Sequence, residues 1–487
     1  MSEREGDDRM IKEGLLPVHQ AGLRRNCLSF IEVVAQSVAN IAPSATPALI
    51  IPAVFSITGQ GVWFTYAFST VALLFVTYHI NQFAKRSASP GALYTFVAQG
   101  MGPAWGVISG WSLVIAYLIT GAATLCGAAN YVGVLATAIT GAAPSIALII
   151  VVMCAVTLGC WVLAYRDIEL STKFMLLLEA FSVSVVLLLA FAFFAKTGHV
   201  YDKAQFSLSG TTPKAMLQGL VLAFFSFVGF ESATALGHEA KDPLRTIPRS
   251  VLVTVIAVGA FFTFMCYTLV DAFQGHTPGL GQSNAPLSVL SQLAGMPLLG
   301  TLFAVGASVG FFACALACIN AGARVIYAMA KHGLVHDSAA GTHEVHATPH
   351  VAVTISAIVL LLPPLALLLV NHMALLDAFG YLGSVATFGF LFAYILVSIG
   401  SPLFLRSRGE LSAVSVIMAV LSIAMLVIAT VGSIYPVPAA PLNTVPYVFL
   451  LLLAIGLARF AYVRLVRPDI IGAIQADLVQ EVHDLSA

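Results

Sequence analysis

The residues best equipped for chemistry stand where their types are least welcome. Residues 226–231 read Ser-Phe-Val-Gly-Phe-Glu, deep in an apolar run at 214–237. Glycine in a helix costs about 1 kcal/mol against alanine. A carboxylate at bilayer depth costs a few kcal/mol unless it faces protein or water. A segment that keeps both is expected to be a broken helix, its unwound backbone and Glu231 lining a wet cavity at the membrane midplane. Residues 40–47, Asn-Ile-Ala-Pro-Ser-Ala-Thr-Pro, predict a second interruption. Pro43 removes a donor and crowds the carbonyl one turn back. The half-helix that restarts near Pro47 offers free N–H groups and a positive dipole end, which can hold a carboxylate. The carbonyls freed before the break can hold an ammonium group or a cation. The substrate-binding candidates are therefore Ile41, Ala42, Pro43, Ser44, Ala45 and Thr46 from one break, with Ser226, Phe227, Val228, Gly229 and Phe230 from the other. A plain proline kink in a packed helix is the simpler reading, and the matching break in the later run weighs against it.

Other side chains divide between work and packing. A carboxyl desolvated at this depth can take up and release a proton, which makes Glu231 the first coupling candidate and Glu179 the second. Against this stand a structural role for Glu231, bonded to the broken backbone, and a position for Glu179 toward the inner end of its span. Glu32 is expected near the membrane edge, paired with a loop cation. Asp271 is expected in the outer interface, and Asp377 at a helix N-terminus that an acid complements. Ser308 is a possible cation ligand, although serine in membrane helices more often bonds its own backbone. Phe225, Phe227 and Phe230 could stack on a substrate cation or simply pack, and Tyr117 and Tyr381 could turn hydroxyls to the cavity. The histidines of 331–350 have mixed spacings, so no metal site is expected. The seven cysteines include no CxxC pair and read as small buried thiols.

The elements that must position these groups follow from composition. The 487 residues are 59% hydrophobic and 9% charged, against roughly 25% charged in soluble domains. Lys plus Arg and Asp plus Glu balance at 22 each, so charge gives no reason to expect a nucleic-acid partner. Twelve spans are expected, at 28–57, 62–83, 103–138, 145–164, 170–195, 214–237, 247–273, 298–329, 351–370, 375–400, 411–433 and 445–462. The third and eighth exceed one bilayer crossing and should tilt. Only Lys196, Lys203 and Lys214 of the 22 basic residues fall on outer segments, which predicts cytoplasmic N- and C-termini. Residues 1–25 lack a cleavable signal pattern, so the first run is expected to insert the chain.

The chain also looks repeated. The first span starts near 28 and the sixth near 214, and the same offset carries Pro43 onto Gly229. A five-span unit repeated in sequence must be inverted in the membrane. The expected fold is all-α and polytopic: 12 transmembrane helices, a five-plus-five inverted repeat with two extra helices, and broken helices 1 and 6. Its parts are a cytoplasmic segment at 1–27, repeats at 28–195 and 214–400, helices 11 and 12 at 411–462, and a cytoplasmic tail at 463–487.

Several of these stretches resemble a known family. Residues 227–233, Phe-Val-Gly-Phe-Glu-Ser-Ala, with Glu-Ala-Lys-Asp-Pro at 239–243 and Ile-Pro-Arg at 247–249, resemble the sixth-helix signature of the amino acid–polyamine–organocation (APC) transporters. Ser-Pro-Gly-Ala-Leu-Tyr at 89–94 with Gly102 and Pro103 resembles their connector between helices two and three. Asn-Ala-Gly-Ala-Arg at 320–324 and Thr-Pro-His-Val-Ala at 348–352 resemble the eighth helix and the start of the ninth. The resemblance covers nearly the whole chain and implies a substrate site between helices one and six. The family often has a glycine-rich first break where this chain has Ala-Pro-Ser-Ala at 42–45. Some members carry a lysine in mid-helix five, where 174–195 holds Glu179 as its only charge and Ser182 near the lysine position.

The expectation is a secondary active transporter, a permease moving amino acids or related small amines across the inner or plasma membrane by alternating access, coupled to protons or to a counter-substrate. A sodium-coupled symporter of the same fold is the alternative, and a transporter-like nutrient receptor or a channel is the alternative of another class. No G-x-x-x-x-G-K-[ST] run is present, so pumping driven by ATP within this chain is not expected. No cofactor is called for, and no catalytic residue is assigned.

Overall fold

The computed structural model describes residues 22–283, 285–472 and 474–475. Most of the two expected cytoplasmic ends therefore lies outside the described residues. Among the described residues sixteen α-helices follow in chain order: α1 Phe30–Ile41, α2 Ile51–Thr58, α3 Val62–Ala84, α4 Leu93–Met101, α5 Pro103–Thr140, α6 Ile146–Arg166, α7 Ile168–Thr197, α8 Lys203–Phe206, α9 Pro213–Phe225, α10 Pro243–Ala272, α11 Pro286–Leu293, α12 Pro297–Lys331, α13 His350–Leu369, α14 Leu375–Ser407, α15 Ala413–Gly432 and α16 Val445–Val466. No strand is present among the described residues, only an isolated bridge between Leu28 and Ala240.

Ten helical runs among the described residues are long and apolar enough to cross a membrane. The count differs from the twelve expected spans for two physical reasons. The runs at 28–57 and 62–83 are joined through a single 3₁₀ turn at Gly59–Gly61, so Phe30–Ala84 counts as one run of 55 residues. The run at 214–237 does not stay helical: α9 stops at Phe225 and falls short of a crossing length.

Local chemistry sets the helix ends. Asp167 caps α7, its carboxylate accepting the N–H groups of Glu169 and Leu170. Gly141 and Gly198, at φ 71° and 67°, close α5 and α7 in the left-handed conformation. Glu32 joins Ser29 in a capping box at the start of α1. Its cation is Lys173 at 3.8 Å, on α7 rather than on the loop expected from the sequence.

The core is a sheaf of α5, α12 and α14, with α6, α15 and α16 outside it. Small residues set how closely these helices pass. A Cβ on Gly389 of α14 would lie 2.7 Å from the Ser112 carbonyl oxygen of α5, so only glycine allows that crossing. Of this sheaf, α12 lies against α1 before the first break and against residues 232–236 after the second, and α14 lies against α9 before the second.

Candidate functional site

Both predicted interruptions are present, and they meet. α1 ends at Ile41, Ala42 turns into the left-handed region at φ 50°, and Ala45 N–H donates to the Ala42 carbonyl at 2.9 Å. The chain then continues through a π-helical turn, Thr46–Ile50, into α2. In the second interruption α9 gives way to successive turns over 226–231, with Gly229 at φ 90°, and resumes only as a 3₁₀ segment, Ser232–Leu236.

The contact between the breaks is close. A Cβ on Gly229 would fall 1.6 Å from Asn40 Nδ2. No L-residue with a side chain fits there, and the φ angle disfavours one as well. The 3₁₀ segment is pinned to α1: Ser232 Oγ donates to the Gln36 carbonyl at 3.3 Å, and Ala233 N–H donates to Ser37 Oγ at 3.0 Å. All the substrate-binding candidates at 41–46 and 226–230 are buried.

Glu231 is fully buried and clasped by two tyrosines. Tyr117 Oη of α5 donates to Oε1 at 2.8 Å, and Tyr394 Oη of α14 donates to Oε2. The same Tyr394 hydroxyl accepts the N–H of Gly229 at 3.3 Å. One tyrosine therefore bridges the broken backbone to the acid. Tyr66 Oη and Ser226 Oγ, 2.7 Å apart, anchor the other edge of the break.

The remaining candidates fall into place differently. Phe227 packs edge-on against Phe262, Phe230 lies against Tyr394, and Phe225 lies against Phe379. Ser308 Oγ donates to the Ala304 carbonyl of its own helix at 2.9 Å. Tyr381 turns away from the breaks and pairs with Thr444 in an exposed position. Asp271 is bonded to His199 at 2.8 Å, and Asp377 lies in the first turn of α14. Cys154 is exposed, unlike the buried thiols expected from the sequence, because it lies on the outer face of α6.

Glu179 lies in the first half of α7 and is buried. A Cβ on Gly310 of α12 would lie 2.5 Å from Ser44 Oγ, 3.5 Å from Ser182 Oγ and 3.7 Å from Glu179 Oε1. Ser44 of the first break and Glu179 and Ser182 of α7 therefore border one point beside α12.

Sequence reasoning missed the residues that join the two breaks. Gln36, Ser37 and Asn40 supply a carbonyl, a hydroxyl and an amide to the second break, and their signal was available as three polar residues inside an apolar helix. Tyr394 gave no such signal. Cys314 and Cys318 donate their thiols to the Asn40 carbonyl and side-chain oxygen at 3.1 and 3.3 Å, work that spacing alone did not suggest.

A family model described as Amino acid permease matches residues 32–465. The branched-chain amino acid permease BcaP of Bacillus subtilis is 24% identical over 374 residues, covering 72% of this chain and 75% of that protein. The low-affinity putrescine importer PlaP of Escherichia coli K12 is 24% identical over 358 residues, 70% of this chain and 74% of that protein. Cationic amino acid transporter 4 of Mus musculus is 24% identical over 416 residues, 79% of this chain and 62% of that protein.

Proposed function

Because the chain belongs to the amino acid permease family, a family of multi-pass transmembrane transporters, we propose that it is a secondary active transporter moving amino acids or small amines across the cell membrane by alternating access. The twelve-helix, five-plus-five inverted architecture with cytoplasmic termini is part of this reading. The 55-residue first run, long enough for two crossings, and the split of the sixth run support it. The observation that carries the function is the contact of the two breaks, with the Asn40 amide against the Gly229 backbone. Unwound peptide groups from two segments converge there, and such groups can hold the carboxylate and ammonium of an amino acid without a dedicated charged pair.

Glu231 is the coupling group in this reading. An ionised carboxylate only accepts hydrogen bonds, so it can take both tyrosine donors at once. Once protonated it must donate, and one of the two Tyr bonds has to be remade. Tyr394 also holds Gly229 N–H, so the change reaches the break directly. Glu179 is the second acid of the path.

The first probes are leucine, as one branched-chain amino acid, and putrescine, after the names of the two bacterial relatives. The purified chain in liposomes is expected to show saturable uptake of one of them that rises with an inward proton gradient or with a preloaded counter-substrate. Glu231→Gln should abolish the gradient-driven part, by at least tenfold, and leave exchange measurable. Unchanged pH dependence of uptake in Glu231→Gln removes this residue from coupling.

A further inference from the structure

The connector between α12 and α13 is folded around a histidine ring. His343 N–H donates to the Thr348 carbonyl at 2.9 Å, and Ala347 N–H returns a bond to the His343 carbonyl at 2.8 Å. Within this loop the His343 side chain is the acceptor: Nδ1 takes the N–H groups of Val345 and His346 at 3.2 and 3.3 Å. Thr348 Oγ1 donates to the Tyr165 carbonyl at 2.6 Å, which ties the loop to the last turn of α6. The rings gather at the same place. Tyr165 lies 5.3 Å from His343 and 6.0 Å from both His346 and His350, centroid to centroid. His343 lies 4.6 Å from His346 and 5.5 Å from His350. We propose that His343 is a proton-sensitive latch: unprotonated at Nδ1, it holds the 343–348 loop in the form that docks on α6, and protonation there releases the loop.

An imidazole nitrogen accepts a hydrogen bond only while it carries no proton. A proton on Nδ1 sets a donor against two donors, so both backbone bonds are lost together. The new charge also stands beside two further imidazoles, and like charges at this range oppose each other. Histidine is the side chain whose charge changes between about pH 5 and 8. The titratable groups that face His343 are His346 of the same loop, His350 of α13 and Tyr165 of α6. None of them is an acid that would hold the charge in place. Glu344 and Arg166 are exposed and make no ion pair with this group among the described residues. A neutral ring accepting at Nδ1 keeps its proton on Nε2 and has no lone pair left for a metal, so His343 is placed to titrate rather than to ligate. The loop closes a group in which α13 packs on α5, α6 and α12, and α1 rests on α12. Acid therefore loosens the frame that carries the first break. What that does to flux rests on the transporter reading; the latch itself does not.

The test is hydrogen exchange of the purified full-length chain at about pH 7.5 and about pH 5.5, on either side of the ordinary histidine range. Each rate is divided by that of an unstructured peptide of the same sequence at the same pH. Protection of the Val345 and His346 amides is expected to fall by up to about tenfold per pH unit, the limit for one coupled proton, while α5 keeps its protection. His343→Asn retains an acceptor for the same two N–H groups and does not titrate, so its protection is expected to be equal at both values. Constant protection in the unaltered chain, an equal fall in His343→Asn, or a parallel fall in α5 overturns the latch. If His343→Asn does not fold, the joint change His346→Gln and His350→Gln leaves the Nδ1 bonds in place and must keep the fall; its absence there overturns the role of His343. A fall in protein that gives no counterflow keeps the latch and removes the transporter reading, and counterflow without a fall does the reverse.

Discussion

At the scale of single residues, the first break stores strain that the second does not. Ala42 holds φ 50°, a conformation that costs an alanine roughly 1–2 kcal/mol and a glycine almost nothing. Ala42→Gly is therefore expected to raise stability by about 1 kcal/mol, read as a higher melting temperature. A lower one would mean that the alanine methyl makes contacts worth more than the strain. The second break already has its glycine, and there the steric argument is stronger than the conformational one, because Asn40 Nδ2 occupies the only direction a side chain could take. Both breaks were legible in the sequence because proline, and glycine next to an acid, are local signals inside an apolar run. Their partners were not. Tyr117 and Tyr394 lie 114 and 163 residues from Glu231 along the chain, and nothing in their own surroundings announces the bond.

At the scale of elements, a buried ion pair ties the second break to α12. Arg324 donates through Nε and Nη2 to both oxygens of Glu239, at 2.5 and 2.7 Å, and through Nη1 to the Asn320 carbonyl at 2.8 Å. The same Glu239 offers its backbone carbonyl to the N–H groups of Cys27 and Leu28, each at 2.9 Å, and Lys241 N–H returns a bond to Leu28. The chain entering α1 is thereby stitched to the segment leaving the second break. Removing one partner of such a pair strands a charge in the interior. Glu239→Gln or Arg324→Met alone is expected to cost about 3–5 kcal/mol, and the double variant less than the sum of the two. Melting of the three purified variants measures this, and additive losses would show that the pair acts as two independent residues. The sequence displayed both motifs, at 239–243 and 320–324, as likenesses to a family; that one completes the other is visible only once α12 lies against the 3₁₀ segment.

At the scale of the whole molecule, apolar runs were enough to give an all-helical membrane chain, and the ends of most runs fell within a few residues of the helices observed. The expected spans at 103–138 and 351–370, for example, became Pro103–Thr140 and His350–Leu369. The exceptions are where hydropathy averages over an interruption. It ran 28–57 across the break at 42–50, and it counted 214–237 as one span although α9 stops at Phe225 and only 232–236 resumes, as a 3₁₀ segment. The proposed cycle needs the broken segments to shift against the sheaf of α5, α12 and α14, and the tyrosine clasp on Glu231 links the two bodies.

The contact of the two breaks is best tested by counterflow in liposomes preloaded with unlabelled leucine or putrescine, comparing the unaltered chain with Gly229→Ala. The account predicts a transient overshoot of labelled substrate with the unaltered chain and its loss in Gly229→Ala, with Gly229→Ala protein still eluting as a folded species. Overshoot of equal size in Gly229→Ala would contradict it.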